Sequence, residues 1–376
     1  MELLRRLVAV LFVLGLAIVA GAEEASAVEP PDTGISGVYE VMVGAEDAAI
    51  YERYFAEFGF RVVARGKLSA DEAEALYGVP SALKSVRMQN GDIASHGLVR
   101  ILEWAEPLGP GVGYAPPETL GMRMAVMRTT DIFRLVDTYR AARKAGERWL
   151  PIEPVYDDLY SLTEGDPSFF NRPVGVRETA VYGELFHHVF FQRYGYQIPG
   201  YGTIGDHSPL ATSEFTHHDF IVDGEDLGEM TNYYRDALGF RDEGGVVLDG
   251  DWQDGPQRVF DMAPGTSHWY RGFVSPNNIC GKLKFFLPTG PKPDRTARQR
   301  PGELGITLHS LYTPKLEKVR HLLIDQGIQP GEIRNNEFGE RGFVFIGPDG
   351  AAWQILDKTD PEPGPVTEFE LVKTGG

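Results

Sequence analysis

An internal repeat constrains this chain more than any other feature of its sequence. The triplet Gly59-Phe60-Arg61 recurs 180 positions later as Gly239-Phe240-Arg241, and Gly44 recurs at the same distance as Gly224. In both copies a short strand, a turn and an amphipathic helix precede the triplet. A repeat at this distance indicates that one structural plan is used twice along the chain.

Each half also contains the same order of elements twice, namely strand, helix and three further strands. Hydrophobic periodicity predicts helices over 46–57, 131–145 and 316–326, and a fourth helix that stops at Gly239. A serine followed by a glutamate three residues later predicts a short capped helix over 69–78. The pattern therefore predicts an α+β fold of four strand-helix-strand-strand-strand units.

Composition shifts divide the chain into segments that we expect to fold separately. Stretches rich in Asp, Gly, Pro and Tyr interrupt the repeating pattern and are typical of insertions and linkers. The expected segments are a signal peptide at 1–27, a first domain at 36–195, a linker at 196–213, a second domain at 214–358 and a loose tail at 359–376.

The first 27 residues have the three parts of a secretory signal peptide. Arg5 and Arg6 precede an apolar run over 7–22, and Ala25-Ser26-Ala27 offers a cleavage site of small residues. The run is short for a spanning helix, so cleavage is favoured over retention as a membrane anchor. We therefore expect an exported protein, periplasmic or extracellular.

The charge of the chain limits the partners that it is expected to bind. The formal net charge is −18, which argues against nucleic acid as a partner. No stretch after the leader is apolar enough to span a bilayer, so stable membrane insertion after cleavage is not expected. A small-molecule ligand is the expected partner, and assembly into a homodimer is left open.

The order of elements and two helix endings resemble the vicinal oxygen chelate superfamily in its two-domain form. This group includes glyoxalases, bleomycin-resistance proteins and extradiol dioxygenases. The matching motifs are Phe58-Gly59-Phe60, Leu238-Gly239-Phe240 and the turn Pro348-Asp349-Gly350 before the last strand. The resemblance implies that the units pair into two glyoxalase-like domains, whose cupped mixed sheets each enclose a cleft.

The resemblance also implies a metal site in the second half, with ligands from first and last strands. His217 or His218, His309 and Gln354 are the expected donors, with an amide where the family usually has glutamate. Strand alternation places His217 and His218 on opposite faces, and either one is kept as the ligand. The implied ion is divalent, namely Fe(II), Zn, Mn or Ni. A protein without metal is an equally open reading, because the amide lacks the negative charge of a carboxylate.

Other residues are expected to contact the ligand rather than the metal. Lys284 and Arg100 occupy positions on last strands where a carboxylate ligand is usual, and His187 matches Gln354 in position. The first half offers fewer donors and is expected to be accessory. An aromatic stretch in the third unit supplies candidate walls for a pocket. The expected ligand-binding residues are Lys284, Arg100, His187, Trp252, Trp269 and Tyr270.

Three functions are compatible with these patterns. The first is a metal-dependent lyase or dioxygenase that acts on a small oxygenated molecule. The second is a metal-free extracytoplasmic binding protein for a small anionic or aromatic ligand. The third is an interaction module whose clefts are filled by side chains.

Overall fold

The structure is a computed structural model that describes most of the chain after the leader. The signal peptide predicted at 1–27 lies outside the described residues, as do Trp252 and most of the tail. Among the helices that are described, none is long and apolar enough to cross a membrane. The described residues are 29–161, 169, 173–248, 256–262, 268–276, 281–288, 290, 292–359 and 370–371.

The predicted α+β architecture is confirmed, since strands and helices follow one another in four repeated units. The capped helix predicted over 69–78 forms, and a strand within the segment 155–176 was missed. The helices are α1 (Ala48–Glu57), α2 (Ala70–Tyr77), α3 (Ile132–Lys144), α4 (Leu227–Asp236), α5 (Pro256–Val259) and α6 (Leu316–Asp325).

The strands alternate with these helices along the chain in the order that the repeat predicts. Those of the first half are β1 (Glu40–Ala45), β2 (Phe60–Leu68), β3 (Leu83–Asn90), β4 (Leu98–Trp104), β5 (Arg123–Thr129), β6 (Trp149–Pro151), β7 (Val155–Ser161), β8 (Pro173–Gly183), β9 (His188–Tyr194) and β10 (Tyr196–Gln197). Those of the second half are β11 (Thr212–Ile221), β12 (Arg241–Leu248), β13 (His268–Val274), β14 (Lys282–Pro288), β15 (Gly305–Thr313), β16 (Arg334–Asn335), β17 (Arg341–Ile346), β18 (Ala352–Asp357) and β19 (Glu370–Leu371).

Local chemistry explains where the helices begin and end. The side chain of Ser69 accepts a hydrogen bond from the backbone nitrogen of Glu72, and the side chain of Glu72 accepts one from the backbone nitrogen of Ser69. These two bonds start α2. After α4 the chain turns at Gly239 with φ +78°, a conformation that favours glycine. A Cβ there would lie 2.3 Å from the carbonyl oxygen of Pro31. The recurring glycine therefore serves both the turn and a close approach of two backbones.

The pairing of the units differs from the sequence prediction. The first sheet has the order β16-β17-β18-β15-β1-β4-β3-β2, so it joins the first unit to the fourth. The second sheet has the order β12-β13-β14-β11-β5-β9-β8-β6, and β7 pairs with β8, so it joins the second unit to the third. Neighbouring units along the chain were expected to pair. Because all four first strands have similar edges, the repeat alone did not specify their partners.

The two sheets pack against each other through a shared apolar core. We call the side of each sheet that contacts this core its core face, and the opposite side its distal face. Phe220 of the second sheet contacts Trp353 of the first across the core, with ring centroids 5.8 Å apart. This core consists of two apolar clusters between the sheets, one with buried side chains from α4 and α6 and the other with buried side chains from α1 and α3. Since side chains alternate along a strand, every second residue of the central strands reaches a distal face.

Candidate functional site

Arg100 is the centre of a polar cluster on the distal face of the first sheet. Its guanidinium is completely buried and is held by groups from both paired units. Nη1 donates to Oε1 of Gln354 at 2.8 Å, to Oε1 of Glu337 at 3.2 Å and to the hydroxyl of Tyr77 at 3.3 Å. Nε donates to Oε1 of Glu40 at 3.1 Å, and Nη2 contacts the other oxygen of that carboxylate.

A second arginine completes the charge balance of this cluster. Nε of Arg87 contacts Glu40 at 2.5 Å, and its terminal nitrogens bind Glu340 at 2.6 and 2.9 Å. Burial acts to raise the pKa of Glu40, but the guanidiniums of Arg100 and Arg87 outweigh it and lower that pKa to about 2. Ser310 donates to the same carboxylate at 2.8 Å. The cluster is therefore a closed ionic network, not an open binding site.

Two of the predicted site residues, Gln354 and Arg100, are engaged in this network. The amide oxygen of Gln354 already accepts a hydrogen bond from a buried cation, which would repel a metal ion at the same place. Arg100 is bound on all sides by protein groups. Both residues were expected in or beside a ligand site, and the structure assigns them to internal ion pairing instead.

The predicted metal ligands do not converge. His309 precedes Ser310 on β15, so it reaches the core face while Ser310 reaches the distal face with Gln354. The ring of His309 contacts His218 across the core, with centroids 5.0 Å apart, and Trp353 at 5.4 Å. His217 faces away from this pair, on the distal face of the second sheet. The donor set expected from the sequence is therefore divided among three places.

His218 and His309 lie among aromatic rings and near the buried guanidinium of Arg123, a setting unlike a metal site. Both side chains are fully buried, and neither ring nitrogen of either residue has a hydrogen-bond partner among the described residues. Burial lowers the pKa of His218 to about 3 and holds that of His309 well below its usual value. Both imidazoles are therefore neutral packing groups between the sheets.

Two of the residues expected to bind ligand have structural contacts. His187 places Nε2 3.1 Å from the carbonyl oxygen of Gly113, while its Nδ1 lies 3.4 Å from the backbone nitrogen of Gly183. Burial lowers the pKa of His187 to about 4. Trp269 packs against the shared core, whereas its neighbour Tyr270 reaches the distal face of the second sheet.

The second polar cluster lies on the distal face of the second sheet. Asp219 on β11 pairs in register with Lys284 on β14, so the two side chains are neighbours. His217 is two residues before Asp219 and shares its face. Glu178 on β8 pairs in register with Phe191, which lies on the same face, and the charges of Lys284 and Asp219 act on its carboxyl. The four residues are only 2–4% exposed.

Burial moves the ionisable groups of this cluster toward their neutral forms. It raises the pKa of Glu178 to about 8 and that of Asp219 to about 7, while the ammonium of Lys284 acts in the opposite direction. Burial also lowers the pKa of Lys284 against the attraction of both carboxyls. It lowers the pKa of His217 well below the usual value, and the charge of Lys284 adds to that effect. Groups shifted in this way are typical of functional sites.

Hydroxyl groups orient His217 within the cluster. Its Nδ1 lies 2.7 Å from the hydroxyl of Tyr201 and 3.0 Å from that of Thr216. Tyr201 comes from the segment between β10 and β11, which the sequence suggested was only a linker. These contacts engage Nδ1 and leave Nε2 out of this hydrogen-bond network.

Sequence reasoning found Lys284, His217 and Tyr270 but missed Asp219, Glu178 and Tyr201. A usable signal was present for Asp219, because it follows His217 by two residues inside an apolar strand and must share its face. Glu178 also interrupts an apolar strand. Its proximity depends on the pairing of the second unit with the third, which the sequence did not reveal.

A described groove lies away from the second cluster. It has a volume of about 640 Å³ and runs between α2 and β17, where Leu76, Ile328 and Phe345 contribute to its lining. Among its described lining residues, Glu74 is the only charged one. Ligand sites usually combine an apolar wall with several convergent polar groups, so the charged cluster of the second sheet is the better candidate.

No set of donors that fits a divalent metal is found in the described part of the chain. No three His, Cys, Asp or Glu side chains there are grouped so as to hold an ion. In the second cluster, the ammonium of Lys284 would also oppose a cation near Asp219. The described residues therefore do not fit the Fe(II), Zn, Mn or Ni site that the resemblance implies.

Two curled mixed sheets, each built from a pair of strand-helix-strand-strand-strand units, give this chain a glyoxalase-like fold. Glyoxalase I from Zea mays matches with a TM-score of 0.51 and 12% identity, over 87% of this chain and 94% of that chain. A "putative dioxygenase" from Bacillus subtilis matches with a TM-score of 0.51 and 11% identity, over 88% of this chain and 87% of that one. Neither a family model nor a curated protein matches the sequence. The likeness is one of fold.

Proposed function

We propose that this protein binds a small molecule at the second polar cluster, on the distal face of the second sheet. The observation that carries the proposal is a buried carboxyl group, that of Asp219, with one oxygen left unpartnered. Oδ1 of Asp219 is buried and has no hydrogen-bond partner among the described residues. Burying such a group costs roughly 1–3 kcal/mol in stability. A ligand that pairs with this carboxyl would offset the cost.

The first sheet supports the proposal by contrast. Its cluster occupies the equivalent face and contains a basic residue on the equivalent strand, since Arg100 pairs in register with Met42 on β1 as Lys284 does with Asp219 on β11. There the basic residue is surrounded by acceptors and the network is closed. The second cluster has the same placement, but there Oδ1 of Asp219 has no hydrogen-bond partner among the described residues, which favours this cluster as the binding site.

Binding without metal is the reading that the donor positions favour. The enzyme hypothesis assigned His309, Gln354 and His217 or His218 to one ion, and these residues are divided among three places. The alternative of a metal-free binding protein uses Lys284 and Tyr270, which lie on the same face as Asp219. We therefore favour the binding protein over the metal-dependent lyase or dioxygenase.

A binding screen with matched variants tests the proposal. Small molecules that raise the melting temperature of the mature protein would be titrated calorimetrically into wild type, Asp219→Asn and Glu178→Gln. Asp92→Asn is the matched control, because its side chain is fully exposed. We expect ligands that bind wild type and control to lose at least tenfold in affinity in both cluster variants. Equal binding by all four proteins would place the site elsewhere.

We also propose that the protein is exported and that its leader is removed after Ala27. The support is the tripartite leader, with Arg5 and Arg6 before the apolar run. N-terminal sequencing of protein recovered from the periplasm or medium should begin at Val28. Recovery of the chain in the membrane fraction with Met1 retained would contradict export with cleavage.

A further inference from the structure

We propose that a small cavity between the two sheets binds one monovalent anion of about the size of chloride, with Arg123 as its counter-charge. Arg123 begins β5 and pairs in register with Phe220, whose ring lies in the shared core. Residues directly opposite each other on paired strands share a face, so the side chain of Arg123 reaches the core face. The anion site and the ligand site proposed above therefore lie on opposite faces of the second sheet.

Arg123 is buried without enough acceptors for its guanidinium. The residue is 2% exposed, and its Nε and Nη1 have no hydrogen-bond partner among the described residues. Nη2 donates to the carbonyl oxygen of Gly350, which belongs to the other sheet, at 3.1 Å. Burial lowers the pKa of Arg123 to about 10, so the group remains a cation at neutral pH. Nearly all buried polar groups in proteins have a partner, so donors left over at this depth indicate a site for an ordered water molecule or an ion.

The carboxyls near Arg123 do not supply the missing contacts. Asp349 attracts Arg123 through its charge, but its own oxygens accept hydrogen bonds from two tyrosine hydroxyls at 2.8 and 3.1 Å. Glu184 pairs with Arg148 at 3.1 Å, and its side chain is 57% exposed. Within the described structure, two nitrogens of Arg123 therefore lack an acceptor whether Asp349 is charged or neutral.

A cavity adjoins this guanidinium. Arg123 is one of its lining residues, and the apolar part of the wall comes from β15, from the turn between β8 and β9 and from the segment before β5. About 10 Å³ is open to the centre of a water-sized sphere, which is room for one small ion or molecule. An anion of several atoms, such as phosphate, would not fit. The apolar lining residues are Val112, Leu185, Phe186 and Ile306.

The polar groups of the wall favour an anion over a water molecule. A water molecule needs acceptors for its own hydrogens, whereas an anion needs only donors. The other polar side chains that line the cavity are Glu184, which is paired with Arg148, and His187. Nε2 of His187 lies 3.1 Å from the carbonyl oxygen of Gly113, and its Nδ1 lies 3.4 Å from a backbone nitrogen, so both ring nitrogens are engaged. The side-chain groups left for a guest are the donors of a cation, and hydrogen bonds from such donors to an anion are about twice as strong as those between neutral groups.

The thermal stability of the mature protein in different salts tests the site. Chloride or bromide would replace gluconate, an anion too large for the cavity, at constant ionic strength and neutral pH. A ligand that binds only the folded state raises the melting temperature as its concentration increases. We expect a saturable rise with both halides in wild type and in Arg61→Met, whose guanidinium lies at the exposed surface. Arg123→Met should reduce the apparent affinity for the halides at least tenfold.

Diffraction from crystals soaked in bromide locates the ion directly. We expect an anomalous peak in the cavity beside Nε or Nη1 of Arg123. This measurement uses wild type, so it decides the question even if Arg123→Met does not fold. An equal rise in melting temperature in wild type and Arg123→Met, or a cavity that holds only water in the soaked crystals, would overturn the anion site. Neither result bears on the proposed function, which Asp219→Asn tests on the distal face.

Discussion

Arg100 is a buried cation whose charge is balanced by protein groups alone. Glu40, Glu337, Gln354 and Tyr77 surround its guanidinium, and four different segments of the chain supply them. A lysine would not reproduce this arrangement, because an ammonium lacks the planar set of donors that guanidinium presents. The residue that fills the first cluster is thus matched to its partners in shape as well as charge.

Removing the charge of Arg100 should destabilise the protein strongly. Arg100→Met leaves Glu40 and Glu337 buried beside one remaining guanidinium, and breaking a buried ion pair typically costs about 3–5 kcal/mol. We expect a loss of this size in the free energy of unfolding measured with urea. Arg61→Met is the control, because Arg61 pairs with Asp92 at the exposed surface and should cost less than about 1 kcal/mol. Equal losses in the two variants would contradict the internal role of Arg100.

At the scale of elements, two glycines that end helices allow the effect of backbone strain to be distinguished from the effect of steric contact. Gly239 follows α4 and Gly327 follows α6, and both have φ +78°. A Cβ on Gly239 would lie 2.3 Å from the carbonyl oxygen of Pro31, whereas a Cβ on Gly327 would meet nothing within 4 Å. The two positions share a conformation and differ in their surroundings.

Alanine substitutions at these glycines should therefore have unequal effects. Gly327→Ala should cost about 1 kcal/mol, because a left-handed backbone is unfavourable for a residue with a Cβ. Gly239→Ala should cost clearly more, since the backbone of Pro31 must also move. Urea unfolding of both variants measures the difference. An equal loss at both sites would show that the segment around Pro31 yields without cost.

At the scale of the whole molecule, His218 and His309 make the stability of the folded protein depend on pH. Each is neutral when folded, because burial lowers its pKa, while an unfolded histidine has a pKa near 6.5. The unfolded chain therefore binds more protons below about pH 6.5. The stability that these histidines contribute is present above that pH and is lost as the pH falls toward the folded value.

His218→Phe should remove part of this acid sensitivity. Each such histidine contributes a slope of up to about 1.4 kcal/mol per pH unit between pH 6.5 and its folded pKa. We expect the unfolding free energy of His218→Phe, relative to wild type, to rise as the pH is lowered from 7 to 4. His321→Phe is the control, because His321 lies exposed on α6. Parallel pH profiles for wild type and His218→Phe would contradict the assignment.

The carboxyls of the second cluster act in the opposite direction. Their folded pKa values are raised, so the stability that they contribute is present at low pH and is lost as the pH rises toward 8. Comparison of each histidine variant with wild type at the same pH cancels this contribution.

Local patterns in the sequence were sufficient to predict the repeated units. The capping box of Ser69 and Glu72, the glycine after each main helix and the turn before β18 depend on neighbours in the chain, so they can be read without the fold. Strand alternation likewise predicted that His217 and His218 point to opposite faces. These features determined the α+β architecture and its resemblance to a known fold.

The partners of the units, and with them the site, were decided only by tertiary structure. The first strand of each unit presents a similar edge to the next, so the sequence did not specify that β1 pairs with β15 and β5 with β11. That pairing brings Arg100 to Gln354 and Glu337, and it brings Glu178 toward Asp219 and Lys284. Contacts between residues far apart in the chain depend on which sheet edges meet. The charge of each cluster was therefore set by long-range packing, which local sequence patterns do not encode.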